Sequence, residues 1–134
     1  MGTLPSGLPE EIADDEDLAR FITQSNHYNA IMAKPAAFLP SKERETSVSR
    51  HGRDPLERLW QLGTEAANGR NLYGAAIFKA AVIRESKLEI VSDEPPVRHA
   101  VIRGWPVDND PELQKAKQKE LAIVLSAKSV FVRK

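Results

Sequence analysis

The chain has 134 residues and a mass of 14.9 kDa, and its 19 Lys and Arg are balanced by 19 Asp and Glu. This length is typical of a single domain. No apolar run approaches the roughly 20 residues of a membrane span, and the acidic N-terminus lacks the apolar region of a secretory signal. The absence of cysteine excludes disulfides, thiolate zinc sites and cysteine nucleophiles. We therefore expect a soluble, cytoplasmic protein with no membrane partner.

The charges are unevenly distributed along the chain. Residues 1–19 contain six acids and no base, so the other 115 residues carry a net charge of +6. Acids from Asp14 to Asp17 are typical of the first turn of a helix, where the helix dipole favours negative charge. Alternatively, the acidic N-terminus covers a basic face or meets a basic partner.

The first third of the chain predicts one helix and one short strand. Residues 1–13 contain two prolines and two glycines, which indicate a flexible lead-in to a single domain over residues 14–134. We expect a helix from Asp14 to Ser25, because an acidic cap precedes apolar residues spaced i, i+3 and i+4. β-Branched residues alternating with serine predict a strand over Thr46–Ser49.

Capping signals mark two further helices. Asp54 is a natural N-cap, with proline next and glutamate three residues later, and Asn-Gly supplies a stop, which together predict a helix over Pro55–Asn68. Asp110 caps the last helix, and an apolar repeat of 3.6 residues continues to Leu125. Its predicted outer face carries Lys115, Gln118, Lys119 and Lys128.

Four segments in the second half are expected to be strands. Gly74–Arg84 is apolar on both alternating sets, which favours a central strand, although its periodicity also permits a helix. Leu88–Ser92, Val97–Trp105 and Ser129–Arg133 follow. The resulting order is α-β-α-β-β-β-α-β, with strands grouped together, which predicts an α+β domain with an antiparallel or mixed sheet and about three helices.

No strong catalytic or phosphate-binding signature is present, so the catalytic candidates are single histidines. His27 lies in an Asn-His-Tyr-Asn segment that can present an acid or a base, and His51 lies in a basic loop. His99 is more readily explained as a half-buried strand residue. No pair of histidines has local metal-ligand spacing, so we expect neither a metal nor a cofactor.

A basic loop and one tryptophan are the candidate binding residues. Arg44, Arg50 and Arg53 could hold a phosphate or contact a nucleic-acid backbone. The alternative is a solvated loop before a helix. Trp105 lies between glycine and proline and is either part of the core or an exposed anchor for a partner.

Three segments carry a resemblance to other proteins. Pro35–Phe38, Thr46–Val48 and Asp93–Pro106 resemble segments of a diffuse group of small uncharacterised bacterial proteins. The resemblance implies a shared fold over about residues 18–106 and brings no activity with it. It marks five positions for mutation: Arg20, Phe38, Ser47, His99 and Gly104.

The expected function is that of a small non-catalytic binding or accessory protein that acts within a complex. The basic loop or the lysine-bearing last helix would contact a protein partner. One alternative is a small enzyme acting on a phosphate-bearing or nucleotide substrate. A variant of it is an ADP-ribosyltransferase-like domain, with Arg20 and Ser47 at the nucleotide and Glu89 as catalyst. Direct nucleic-acid binding is a further alternative, although a charge of +6 is modest for it.

Overall fold

The computed structural model describes residues 2–51 and 55–134, and it confirms a mixed α+β chain. Within these ranges, six antiparallel strands form one sheet in the order β4-β5-β2-β1-β3-β6, accompanied by three α-helices. The strands are β1 (Asp17–Ile22), β2 (Thr46–Arg50), β3 (Gly74–Lys79), β4 (Glu89–Ser92), β5 (His99–Arg103) and β6 (Val130–Arg133). The helices are α1 (Leu56–Ala67), α2 (Ala80–Glu85) and α3 (Pro111–Lys128), with short 3₁₀ helices at Ser25–His27 and Pro35–Phe38.

Helices cover both faces of this sheet. Leu18 and Ile22 of β1 lie in the larger core cluster, together with Leu125 of α3. Ala19, one position along the same strand, packs with Leu59 of α1 on the other face. Successive side chains of a strand point to opposite faces, so α1 and α3 lie on opposite sides of β1.

The expected helix over Asp14–Ser25 is wrong, because this segment contains the central strand β1. β1 pairs with β3 over its full length, from Asp17 opposite Lys79 to Ile22 opposite Gly74. A strand covered on both faces needs apolar residues on both faces, and such a run also satisfies helical spacing. The preceding acids do not begin a helix; Glu16 and Asp17 form ion pairs with bases on β2 and β3.

The segment Gly74–Arg84 contains both of the structures that its sequence permits. β3 ends at Lys79, and α2 begins at the next residue. The glycine at position 74 is needed for strand packing, since an added Cβ would lie 2.5 Å from the carbonyl oxygen of Val132 on β6. The strand prediction is therefore correct for the first half of this segment only.

The predicted end of α1 and the predicted cap of α3 are confirmed. Asn68 ends α1 in the left-handed conformation, with φ of 50°. The predicted cap Asp54 lies outside the described residues, and Pro55 takes the N-cap position with ψ of 155°, so α1 begins at Leu56 and not at Pro55. At α3, the Asp110 carboxylate accepts a hydrogen bond of 2.9 Å from the Glu112 N–H.

The inner face of α3 matches the expected one at Leu125 and differs from it at Leu113 and Val124. Its buried residues are Ala122, Leu125 and Ser126, whereas Leu113 is 52% exposed and Val124 is 36% exposed. The residues spaced i, i+3 and i+4 from Leu113 thus lie toward solvent. This helix therefore carries apolar residues on two sides, and only one side packs on the sheet.

The lead-in before β1 contacts the rest of the chain at several points. Ile12 is buried in the larger core cluster. The Ser6 N–H donates a hydrogen bond of 3.0 Å to the Glu94 carboxylate, and the Ser92 hydroxyl donates one of 2.6 Å to the Glu10 carbonyl oxygen. These contacts hold the N-terminal segment against the sheet edge near β4.

None of the helices in the described part of the chain is both long and apolar enough to cross a membrane.

Candidate functional site

The candidate site forms where β1 and β2 separate. These two strands pair at two register positions only, Leu18 opposite Arg50 and Ala19 opposite Ser49. By contrast, β1 pairs with β3 at six positions. Beyond Ala19 the two strands diverge, which leaves a gap in the middle of the sheet that side chains must fill.

The Arg20 side chain fills this gap. Its Nε donates a hydrogen bond of 2.7 Å to the Ala37 carbonyl oxygen, and its Nη1 donates one of 2.8 Å to the Ser47 carbonyl oxygen on β2. The second bond satisfies a strand carbonyl that has lost its ladder partner to the divergence. The guanidinium therefore connects β1 to β2 and to the 3₁₀ helix Pro35–Phe38.

A pocket of about 530 Å³ opens beside Arg20. Its walls come from the end of β1 and the segment after it, from β2, from the C-terminal half of α1 and from the loop that precedes β5. Its polar lining includes Arg20, Gln24, His27, Ser47, Glu65, Asn68, Arg70 and His99, and its apolar lining includes Phe21, Val48, Leu62 and Val97.

The electrostatic character of this pocket is positive. Arg20 forms no ion pair with any carboxylate of the described residues, and a second guanidinium, that of Arg70, lines the same pocket. Burial and then the positive charge of Arg70 lower the pKa of Arg20 to about 10, so Arg20 stays charged at neutral pH. Glu65 is the one acid among the described lining residues.

The two histidines of the pocket are held differently. Burial and then the charge of Arg20 lower the pKa of His27, so its imidazole is predominantly neutral at pH 7. The Nδ1 of His99 lies 3.1 Å from both the carbonyl oxygen and a carboxylate oxygen of Asp93. His99 is therefore oriented by an acid, whereas His27 lies closest to positive charge.

Arg70, which the sequence analysis did not single out, is positioned by the end of α1. After Asn68, Gly69 also takes a positive φ of 87°, and the Arg70 Nε then donates a hydrogen bond of 2.9 Å to the Ala67 carbonyl oxygen. This bond satisfies a carbonyl at the helix end. The Asn-Gly stop signal therefore predicted the turn that precedes Arg70. It did not predict which side of the sheet Arg70 would face.

Of the two catalytic candidates, only His27 lines the pocket. His51 is buried at the end of β2, where its N–H donates to the Asp17 carbonyl oxygen and its own carbonyl accepts from Arg98. His51 is not among the described pocket residues. The structure thus places His27, but not His51, where a ligand could reach it.

Arg44 and Arg50, the two described candidates of the basic loop, do not share a binding surface. Arg44 lies on an exposed turn with φ of 62°, away from the pocket, and Arg53 lies outside the described residues. Arg50 is buried completely. Trp105 is only 3% exposed and belongs to the larger core cluster, so it is not an exposed anchor.

Arg50 is neutralised inside the protein rather than presented to a ligand. Its Nε and Nη2 donate hydrogen bonds of 2.5 and 2.6 Å to the two carboxylate oxygens of Glu16. Its Nη1 donates to the Pro9 carbonyl oxygen at 2.6 Å. Glu16, in the acidic N-terminal segment, therefore supplies the negative charge that the buried guanidinium needs.

The described residues contain no group of three or more histidines and acids that could hold a metal ion. Glu89, the catalyst suggested for a transferase, lies on the edge strand β4 beside Arg103 and does not line the pocket. Arg20 and Ser47, which that suggestion placed together, do share it.

The chain matches no protein-family model, and a search of curated proteins and of solved structures gave no significant match. Of the five positions marked by the resemblance, Arg20, Ser47 and His99 line the pocket. The other two, Phe38 and Gly104, lie in the core and at a turn with φ of 87°.

Proposed function

We propose that this protein is a small, non-catalytic binding protein that holds a small anion in the pocket beside Arg20. The observation that carries this proposal is the charge of Arg20. It lies in a pocket, lacks a carboxylate partner among the described residues and has a second guanidinium nearby. A half-buried charge without a partner is partly desolvated, so a ligand that supplies the missing negative charge is favoured.

The free hydrogen-bonding capacity of Arg20 suits an oxyanion. A guanidinium has five N–H donors, and the described hydrogen bonds use Nε and Nη1 for backbone carbonyls. The Nη2 group therefore remains for the pocket, where Arg70 supplies further donors. Arginine side chains in this arrangement bind the oxygen pairs of phosphate or carboxylate groups.

The volume of the pocket limits the size of the ligand. About 530 Å³ lies within the range of small-molecule sites, and the lining combines apolar side chains with a few converging polar ones. We therefore place the proposed ligand among small metabolites rather than extended nucleic-acid strands.

Thermal unfolding with added anions tests the proposal. Ligand at about 100 times its Kd should stabilise the folded state by about 2.7 kcal/mol, which is several degrees in Tm. Sodium phosphate should raise Tm in the wild type beyond any effect of sodium chloride at equal ionic strength. Arg70→Gln should weaken phosphate binding by about tenfold, since it removes one of the two charges.

Arg58→Gln is the matched control, because Arg58 lies near the other end of α1 and does not line the pocket. It should retain the full response to phosphate. Equal responses of the two variants, or no response specific to phosphate in the wild type, would contradict an anion site beside Arg20.

A second candidate function is contact with a protein partner through α3. Leu113, Ile123 and Val124 are exposed on this helix by 52%, 48% and 36%, and Lys119 is exposed one turn before Ile123. Exposed apolar residues with a polar rim are typical of a protein interface. The cytoplasmic location expected from the sequence stays a prediction.

An affinity capture from the host tests this candidate with Ile123→Glu beside wild type. A protein retained by wild type and lost from Ile123→Glu supports contact through α3. Asp14→Lys, on the opposite part of the chain, is the control for a general charge effect. A partner retained equally by Ile123→Glu would remove α3 from consideration.

A further inference from the structure

The proposed anion site carries a finer inference about the class of ligand. We propose that the pocket selects a phosphate monoester, a dianion, over monoanionic ligands, and that His27 takes up a proton when this ligand binds. This inference rests on the proposed function, because it presupposes that an anion lies beside Arg20.

The geometry supplies three groups that can each carry a positive charge. Arg20 and Arg70 are charged in the free protein, and His27 lines the same pocket within the influence of Arg20. Glu65 lines the pocket but forms no ion pair with either guanidinium among the described residues. A monoanion would therefore neutralise one guanidinium and leave the other without a direct partner. A dianion compensates both guanidinium groups, and the oxygens of a terminal phosphate can accept hydrogen bonds from several donors at once.

The electrostatic environment of His27 differs between the free protein and the ligand-bound protein. In the free protein, burial and the charge of Arg20 lower its pKa, and the imidazole is neutral at pH 7. A dianion compensates the charge of Arg20 that lowers the pKa of His27 and brings anionic oxygens into the pocket, which raises this pKa and favours the imidazolium. The imidazolium carries N–H donors on both ring nitrogens, whereas the neutral ring carries one, so protonation adds a donor for the ligand.

Other titratable groups near His27 must be separated from it experimentally. Glu65 and His99 face the same pocket from α1 and β5, and the Nδ1 of His99 lies 3.1 Å from a carboxylate oxygen of Asp93. Lys34 follows on the loop, where its N–H donates to the His27 carbonyl oxygen at 2.8 Å. The charged and titratable groups around His27 are thus Arg20, Lys34, Glu65, Arg70, Asp93 and His99.

The experiment is isothermal titration calorimetry of the full chain at pH 7.5 with methyl phosphate and dimethyl phosphate. Methyl phosphate is a dianion at this pH, because the second pKa of such an ester is about 6, and dimethyl phosphate is a monoanion. Each titration is repeated in buffers of different ionisation enthalpy, so that the dependence of the heat on the buffer gives the number of protons taken up.

We expect methyl phosphate to bind at least about tenfold more tightly than dimethyl phosphate, which corresponds to about 1.4 kcal/mol. Methyl phosphate binding should take up protons, and dimethyl phosphate binding should take up fewer. His27→Gln should abolish this uptake and reduce the preference for methyl phosphate, while its affinity for dimethyl phosphate stays close to that of the wild type.

His99→Gln is the comparison variant, because it removes the other histidine of the pocket. Since His99 also lines the site, the affinity of this variant for both esters is measured as well, and the proton uptake should be retained. Proton uptake that is lost in His99→Gln but kept in His27→Gln would overturn the assignment to His27. The pKa of His27, followed by NMR of its imidazole with and without methyl phosphate, should rise on binding.

The outcomes separate this inference from the proposed function. Equal affinity for the two esters, or binding without proton uptake, would overturn the inference and leave the anion site intact. Absence of binding by both esters would overturn the inference and the anion site together. Adenosine 5′-monophosphate and glucose 6-phosphate share the monoester group, so titrating both distinguishes a nucleotide from a sugar phosphate as its source.

Discussion

Arg20 and Arg50 lie on adjacent strands, and Arg50 is completely buried whereas Arg20 is half-buried. Arg50 meets the carboxylate of Glu16 in a bidentate ion pair and is buried completely. Arg20 meets only backbone carbonyls, and the rest of its guanidinium faces a pocket. The two arginines thus differ in how their charge is compensated: a carboxylate of the chain neutralises Arg50, whereas no carboxylate of the described residues neutralises Arg20.

This comparison also explains how the acidic N-terminal segment contributes to the fold. Glu16 lies directly before β1 and reaches across to the end of β2, which fixes one end of the two-position ladder between these strands. At the other end the strands separate and Arg20 enters. Arg50 thus lies where β1 and β2 are paired, and Arg20 lies where the two strands have separated.

Removing the partner of Arg50 should have the largest effect on stability. Glu16→Gln leaves a completely buried guanidinium without its carboxylate, which typically costs about 3–5 kcal/mol in the free energy of unfolding. Chemical denaturation followed by circular dichroism measures the loss. Asp14→Asn is the control, since its partner Arg84 is exposed, and a pair of this kind contributes at most about 1 kcal/mol. Equal losses in the two variants would mean that burial does not distinguish these ion pairs.

Replacing Arg20 should have a smaller effect on stability and a larger one on binding. Arg20→Met leaves the carbonyls of Ala37 and Ser47 without a donor, at a cost of about 1–3 kcal/mol, because water from the pocket can reach part of the gap. The stabilisation by phosphate should disappear. Chemical denaturation with and without sodium phosphate measures both the free energy of unfolding and the stabilisation by phosphate. A variant that unfolds as easily as Glu16→Gln and still responds to phosphate would reverse the roles of the two arginines.

The parts of this fold that the sequence predicts are those whose signals are local. α1 has a stop signal at Asn68 and α3 has a cap at Asp110, and the structure confirms both helix ends. β1 could not be recognised, because a strand covered on both faces and an amphipathic helix share the same apolar positions over six residues. Its pairing with the neighbouring strands of the sheet, and not its own residue pattern, determines that this segment is a strand.

The candidate site was less predictable than the fold. Arg20, Ser47 and Arg70 are separated by more than 20 residues each, and they meet only because β1 and β2 diverge next to the end of α1. Arg50 was a candidate binding residue as part of a basic loop. Its partner Glu16 lies 34 residues away, and no local sequence pattern predicts that pair. Charge compensation over such distances depends on tertiary structure, which a single sequence does not display.

The smallest expected effect is the pH dependence that His27 gives to the free protein. Its pKa is lowered in the folded state, by burial first and by Arg20 second, so the unfolded chain binds a proton more readily than the folded one. Stability should therefore fall as the pH decreases through about 6.5, the ordinary pKa of histidine, toward the lower folded value. The difference in Tm between wild type and His27→Gln, measured from pH 7.5 to 5.5, isolates this contribution from other groups.

Arg20→Met should reduce the same pH dependence, because the nearby positive charge is one of the two causes of the lowered pKa. Glu16→Gln should leave it unchanged, since Arg50 is not among the causes of the shift at His27. A pH dependence that survives in Arg20→Met at full size would mean that burial alone sets the state of His27. The pocket would then lack the coupling between Arg20 and His27 on which its preference for a dianion depends.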